Sequence, residues 1–385
     1  MIGEDDFDVV VLGGGMAGLT LAHHIAQENN AHPLQQQKTL VLEPRTAYTR
    51  DKTWCYWQHT VSPFDEAITH RWSRWEVAYD GQTHVCEHSA TAYARVDSAR
   101  FYQIAQQGIS ENPNVSLHLG EAAISLTPHG TGVDITSDAG RFRANQVFDT
   151  RPKQMSANIL LQHFVGWEIK TDTDVFDPST VTLMDFMSGT NDIHFFYVLP
   201  FTSRHALVET THFSKSVLCD EVYEEELRNY LKQRFGLDQW RQVHREQGVI
   251  PMPRQAPDLA DRPHQNVIPM GLHSDTVKPS TGYCYPHAQQ QAMQQARLLF
   301  ADANAQATPA RSRFNRWLDS VFIGFLEENP HRAGEIFFQL FSKVPADALV
   351  RFLSDRARPQ DFIRVMTALP TGSFIKQAFR HAFHS

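Results

Sequence analysis

Three features of the 385-residue chain predict an α/β fold. The apolar run Asp8 to Leu12 (DVVVL) breaks into GGGMAGLTLAHHIA, which switches to helical periodicity, and LVLEP then reads as a second strand. Further on, FVGWEIKT, TVTLMDFM, DIHFFYVLPF and ALVETTHF supply successive strand candidates, as expected of one antiparallel sheet. The tail from 311 to 385 is mostly helical in pattern and carries apolar groups such as FIGFL and FFQLF. The expected architecture is a Rossmann-like dinucleotide-binding domain, an antiparallel-sheet domain for a substrate, and a helical C-terminal region.

The glycine turn justifies the first part. Gly13, Gly15 and Gly18 fit G-x-G-x-x-G directly between strand and helix, and Glu43 ends the second strand where a ribose-binding acid belongs. The first glycine permits the sharp turn, the second lets a pyrophosphate approach the backbone, and the third lets the helix pack on the strand. A phosphate there meets the positive end of the helix dipole. The plainer alternative is a glycine-rich turn that binds nothing.

From 45 to 110 the chain is aromatic and basic, with Trp54, Tyr56, Trp57, Trp72 and Trp75 close together. They read either as core and interface or as the wall of a pocket for a large apolar or cationic species. The segment 96–106 is expected to be helical, with Arg95 and Arg100 near its start. NVSLHLGEAAISLTPHGTGVDITSDAGRFRANQVFDTRP reads as a meander of short strands that returns the chain to the nucleotide domain at Asp149 and Arg151. Helices are expected at 219–235 and 286–302. The implied division is a discontinuous nucleotide-binding domain (1–80, 95–155, 262–310), a substrate domain (80–95, 156–261) and the helical region 311–385.

In ALVETTHF, alternation puts Leu207, Glu209, Thr211 and Phe213 on one face and Val208, Thr210 and His212 on the other. Buried among apolar neighbours, Glu209 would keep a proton at neutral pH and serve as a general acid. On an edge strand it would instead face water or an arginine. VIPMGLHSDTVKPSTGYCYPHAQQQA is a strand, an irregular loop and a helix start. Its loop, with Thr281 and Gly282, faces a flavin ring or phosphates in one reading and is a proline-rich linker in the other. Among the 20 histidines no metal-site spacing appears, lone residues such as His194 read as surface or core, and no metal is assigned.

Composition excludes other classes. A net charge of -8 offers no basic field for nucleic acid. With 42% hydrophobic and 20% charged residues, extended disorder is not expected. Cys55, Cys86, Cys219 and Cys284 form no C-x-x-C pair, which fits a reduced, cytoplasmic compartment. The N-terminus reads as a buried strand rather than a signal peptide, and no window reaches the length of an apolar transmembrane span.

Taken in order, the glycine motif, RDKTWCYW, VFDTRP, QHFVGWEI, FDPSTVTLMDF, FFYVLPF, LVETTHFS, QGVIPM and VKPSTGYCY run over nearly the whole chain. Together they resemble the bacterial flavin-dependent lycopene β-cyclases. The resemblance implies the FAD-binding fold of the aromatic hydroxylase flavoproteins, active with reduced FAD, NAD(P)H as reductant, and a linear carotene such as lycopene as substrate. It also implies a cytoplasmic protein in peripheral contact with the inner membrane. Glu209 corresponds to the glutamate regarded as essential in that family, with Asp185 of the MDF motif and His212 as possible helpers. Expected cofactor contacts are Gly13, Gly15, Gly18, Glu43, Arg100, Asp149, Gly271, Thr281 and Gly282. The family's glycine-aspartate pair is replaced by Gly271 followed by LHSD, which leaves Asp275 or a backbone group in that place. Trp54, Tyr56, Trp57 and Tyr197 are the expected pocket walls. A monooxygenase or halogenase on the same scaffold, or a non-catalytic carotenoid carrier, are the competing readings.

Overall fold

A computed structural model describes residues 5–152, 158–187, 192–255, 264–301 and 311–370. The chain opens with β1 (Asp5–Leu12), α1 (Met16–Ala31) and β2 (Thr39–Glu43). Five strands follow: β3 (Thr53–Trp57), β4 (Ile68–Trp72), β5 (Arg74–Tyr79), β6 (Gln82–Glu87) and β7 (Tyr93–Asp97). Helix α2 (Ser98–Ser110) leads to β8 (Val115–Leu119) and the meander β9 (Ala123–His129), β10 (Gly132–Ser137) and β11 (Arg141–Asp149). Next come β12 (Leu160–Lys170), β13 (Thr180–Phe186), β14 (Ile193–Thr202), β15 (His205–Ser214), α3 (Asp220–Phe235) and β16 (Arg241–Met252). After β17 (Val267–Pro269) come α4 (Tyr285–Ala301), α5 (Arg313–Glu328), α6 (Ala333–Lys343), α7 (Ala346–Leu353) and α8 (Pro359–Ala368). The helical tail expected at 311–385 is thus seen to Ala368, and residues 371–385 lie outside the described ones.

Three sheets organise these elements. The first has the order β8-β2-β1-β11-β10-β9, with β17 beside the end of β11. Strands β8, β2, β1, β11 and β17 are parallel, and the β9–β10–β11 meander is antiparallel. β1 and β2 are apolar without alternation because both faces are covered. Val9, Val11 and Val41 pack under α1, α2 and α4 on one side, and Val10, Leu12, Leu40 and Leu42 pack with the meander on the other.

The second sheet has the order β16-β12-β15-β14-β13-β5-β6. It is antiparallel except for one pair, since β13 runs parallel to β5. β16 was not legible as a strand in RQVHREQG, and it pairs with β12 along its length. Helix α3 covers one face around Trp167, Val208 and Tyr230. Against the other face sit the apolar residues of α5 to α8 and part of the third sheet, β3-β7-β4.

That three-stranded sheet lies between the two larger layers, and its alternation divides the aromatic cluster. Trp54 and Tyr56 turn to the first layer, against Tyr285 at 5.7 and 5.1 Å between ring centroids. Trp57 turns to the second, against Trp75 at 4.3 Å.

Candidate active site

The glycine turn closes the C-terminal ends of the parallel strands. Gly13 has φ +95°, and a Cβ on Gly18 would stand 2.0 Å from the Gly13 carbonyl oxygen, so both positions require glycine. Gly15, which precedes α1, is different: a Cβ there would meet nothing within 4 Å, leaving open space at the helix N-terminus. Glu43 accepts the Gly14 N–H at 2.6 Å and the Arg45 N–H and Nε–H at 2.9 and 2.8 Å. Burial pushes its carboxyl up, but these donors win and hold it below the usual glutamate range. Arg45 and Tyr48 also donate to the Gly14 carbonyl, bracing the turn from the second strand.

A second loop joins this turn. The Met270 N–H donates to the Asp149 carbonyl at 2.9 Å, and Gly271, with φ +67°, would place a Cβ 2.9 Å from Ala17 of α1. The Asp149 carboxylate is taken by Arg151 at 2.9 Å. Thr150, not singled out from the sequence, donates its hydroxyl to the carbonyls of Leu12 and Gly13 at 2.9 and 3.0 Å. Arg100 lies exposed in the first turn of α2, whose N-cap is Asp97. Asp275, buried at φ +65°, is pushed up to about 6 by desolvation despite Arg316 and Arg311.

From this loop the chain runs to Gly282, where a Cβ would clash with the Gln162 side chain of β12 at 2.5 Å. Lys278 holds the loop's shape: its N–H donates to the Tyr283 carbonyl at 2.8 Å, and its own carbonyl accepts from Thr281 and Gly282. The Lys278 ammonium is buried between Asp319 of α5 and Asp355, 2.9 Å from each, and Arg311 bridges the same two acids. The helical region therefore anchors the loop through a buried ionic network.

Glu209 sits where the second sheet faces the three-stranded one. β15 lies between β12 and β14, so Glu209 is not on an edge; it is 7% exposed. Strand register aligns Tyr197, Glu209, Gly166 and Glu246 in one row across four strands. Gly166 has no side chain, and its missing Cβ lies between Glu209 and Glu246, 3.5 Å from one side chain and 3.4 Å from the other. Thr211 donates its hydroxyl to Glu209 at 3.0 Å, and among the described residues no ion pair reaches Glu209. Desolvation first, and then the neighbouring Glu246, push its carboxyl well above the ordinary glutamate value. Glu246 is raised by desolvation too, but the Thr53 hydroxyl, which donates at 2.8 Å, and the charges of Arg95 and Arg50 oppose that rise.

Over this row lie Cys55, Trp57, Tyr93 and Tyr283. The Tyr93 and Tyr197 hydroxyls are 3.0 Å apart, and Tyr283 reaches Tyr93 at 3.5 Å. Burial pushes the Cys55 thiol up to about 12. The structure thus brings Glu209, Tyr197 and Trp57 together, adds Glu246, Thr211, Cys55, Tyr93 and Tyr283, and puts Trp54 and Tyr56 on the opposite side of β3.

Asp185 and His212 are placed elsewhere. Both lie on the α3 side of the second sheet, the face opposite Glu209. Tyr230 donates to Asp185 at 2.8 Å, and His212 Nε2 contacts Glu226 of α3 at 2.9 Å. His163, His212 and His194 form a cross-strand row, the last two stacked at 4.1 Å. His194, His212 and Glu226 bring three potential ligand atoms within 4.8 Å. The two rings are only 9° from parallel, so their in-plane lone pairs run side by side instead of converging, and Thr210 and Glu226 already engage them.

The sequence profile described as "Lycopene cyclase protein" matches residues 8–379. The chain belongs to the lycopene cyclase family. Membership places it among the enzymes of carotenoid cyclisation. Among curated relatives, the chain is 25% identical over 390 residues to a lycopene beta-cyclase from Paracoccus sp. (strain N81106 / MBIC 01143), covering 94% of each chain. It is 23% identical over 307 residues to a chloroplastic neoxanthin synthase from Solanum tuberosum, covering 73% of this chain and 58% of the relative. Solved structures share its fold at low identity. A geranylgeranyl bacteriochlorophyll reductase-like protein from Thermoplasma acidophilum superposes with a TM-score of 0.62 at 13% identity, over 97% of this chain and 99% of that one. A flavoprotein/dehydrogenase from Cytophaga hutchinsonii gives 0.61 at 11%, over 98% and 100%. A flavin-dependent monooxygenase in complex with FAD and substrate gives 0.57 at 12%, over 98% of this chain and 72% of that one. The fold is that of the flavoprotein monooxygenases and reductases, with its glycine turn at Gly13.

Proposed function

We propose that this lycopene cyclase is a β-cyclase: it closes β-ionone rings on the ends of lycopene, giving γ- and then β-carotene, with Glu209 as the proton donor. The observation that carries the reading is a carboxyl buried in the middle of a sheet with no ion pair among the described residues, suited to the protonation of an alkene with which such a ring closure would begin. Substrate and product are isomers, so the conversion consumes no electrons. Glu209 transfers its proton to the terminal double bond, the neighbouring double bond attacks the resulting cation, and a ring proton is lost. The aromatic cover of Trp57, Tyr93, Tyr197 and Tyr283 excludes water, which would otherwise trap the cation. Ring faces add about 0.5 to 2 kcal/mol each of cation stabilisation.

FAD suits the residues present at the other end of the fold. The open position at Gly15 and the α1 N-terminus would hold the pyrophosphate, Glu43 the ribose, and the loop from Gly271 to Gly282 would lie along the remainder. Bound there and kept reduced by NAD(P)H, FAD would supply negative charge able to stabilise a cationic centre. Among the described residues no helix is long and apolar enough to cross a membrane. Access to a membrane-borne carotene is assigned to α5 and α8, where Phe314 (50% exposed), Trp317, Ile363 (64%) and Met366 expose apolar surface and Phe314 stacks on Trp317.

The monooxygenases among the structural relatives favour one competing reading, oxidation of an apolar substrate on the same scaffold. Reductant stoichiometry separates the two. A cyclase consumes far less than one NAD(P)H per ring formed and needs no oxygen. One NAD(P)H and one oxygen consumed per product would establish a monooxygenase instead.

A further inference from the structure

Ring closure requires a base as well as an acid, and the glutamate row contains a second buried carboxyl. We propose that Glu246 is this base, taking up the ring proton after Glu209 has delivered one; the inference rests on the cyclase reading above.

Three observations support it. Strand register puts Glu209 and Glu246 on either side of Gly166, which has no side chain to stand between them. Both are 7% exposed and lie under the same cover of β3 and β7. Their surroundings differ in charge. Around Glu209 stand the Thr211 hydroxyl, the Cys55 thiol and Glu246, with Tyr197 as its cross-strand neighbour, none of them cationic. Around Glu246 stand the Thr53 hydroxyl, Arg50 from the segment before β3, Arg95 from β7, and the acids Glu168 and Glu209. Two neighbouring buried carboxyls do not both ionise readily, and the arginine charges favour ionisation of Glu246 over that of Glu209. On this proposal the proton of the pair is held by Glu209, and Glu246, whose rise on burial is opposed by the Thr53 hydroxyl and the arginine charges, is the one left to accept a proton.

The step balances on these two groups. The O–H bond of Glu209 breaks as a C–H bond forms at the terminal alkene. The neighbouring π pair forms the ring C–C bond. A C–H bond next to the new cation breaks, its electron pair becomes the ring double bond, and its proton goes to the Glu246 carboxylate. Return of that proton to Glu209 resets the pair, with no oxidant or reductant consumed.

The test compares Glu246→Gln with Glu209→Gln, each carrying flavin, incubated with lycopene in D2O. Glu246→Gln should lose at least about 100-fold in cyclisation, yet still admit deuterium into recovered lycopene, because protonation remains and reverses. Glu209→Gln should do neither. If Glu246→Gln cyclises within a few-fold of wild type, or loses exchange together with cyclisation while retaining its flavin and melting temperature, Glu246 is not the base. Cyclisation by Glu209→Gln would overturn the donor assignment, a distinguishable failure. A readout independent of turnover is the infrared carboxylic-acid C=O band at neutral pH without substrate: lost in Glu209→Gln, kept in Glu246→Gln, and the reverse pattern contradicts the proposal. If Glu246→Gln does not fold, Thr53→Val decides. Removing the hydroxyl donor should move the acid limb of the pH–rate profile to higher pH, and an unmoved limb refutes the role.

Discussion

Thr53 donates its hydroxyl to Glu246 at 2.8 Å, joining residues 193 positions apart in the chain. This bond fastens the three-stranded sheet to the glutamate row. It also fixes the sides of β3: Thr53, Cys55 and Trp57 face the row, while Trp54 and Tyr56 face the first layer. The site is therefore made at a junction of two sheets.

The glycine turn gives a contrast between neighbouring positions. Gly15→Ala should fold with a melting temperature close to wild type, since its Cβ meets nothing in the protein. It should weaken FAD retention, because the methyl occupies the space left for the pyrophosphate. Gly18→Ala should destabilise the protein outright, through a 2.0 Å clash with the Gly13 carbonyl. Flavin absorbance after gel filtration, alongside thermal melts, checks both.

Much of the first layer was legible because its signals are local. The strand–GxGxxG–helix unit, the acid ending β2 and the meander each occupy a few adjacent residues, and α3 and α4 appear where periodicity put them. Alternation in ALVETTHF sorted the faces of β15 correctly. Glu246 was not legible. RQVHREQG looks like a solvated segment, and its burial arises only because β12 pairs with it and β3 covers it. Asp185 and His212 show the complementary limit. They lie close to Glu209 in the sheet but on its other face, and a two-residue side-chain period decides that more strictly than proximity in the chain.

Stability should depend on the Glu209 proton. Its carboxyl is raised on folding, so at pH values above the ordinary glutamate pKa the native state binds a proton that the unfolded chain has released. That contribution is full below the unfolded pKa and declines as pH rises towards the folded value. Glu209→Gln, which cannot ionise, should gain melting temperature relative to wild type as pH is raised from about 4.3 upward. Paired thermal melts across pH would show it, and a pH-independent difference would contradict it.

Lys278 should matter to stability far from any substrate. It is 2% exposed and lies between Asp319 and Asp355. Lys278→Met removes one of the two cations that Asp319 and Asp355 share, leaving Arg311 with the Ser280 hydroxyl and His287, and should cost about 3–5 kcal/mol. Chemical denaturation measures the loss. Because the same residue shapes the loop carrying Gly282 and Tyr283, FAD retention should fall with it.

Thiol reactivity should single out one position. Cys219 is exposed, whereas burial pushes Cys55 and Cys284 up to about 12 and Cys86 up to about 11. Brief alkylation of the native protein followed by peptide mass analysis should find Cys219 modified and the other three largely untouched.

The most direct measurement is anaerobic incubation of wild-type protein and Glu209→Gln with lycopene and chemically reduced FAD, with the carotenes separated by chromatography. The account predicts ringed products from wild type without oxygen, and a loss of about 10²–10⁴-fold in the variant, the range expected for removing a general acid, with flavin still bound. Ring formation by Glu209→Gln at near wild-type rate would contradict it.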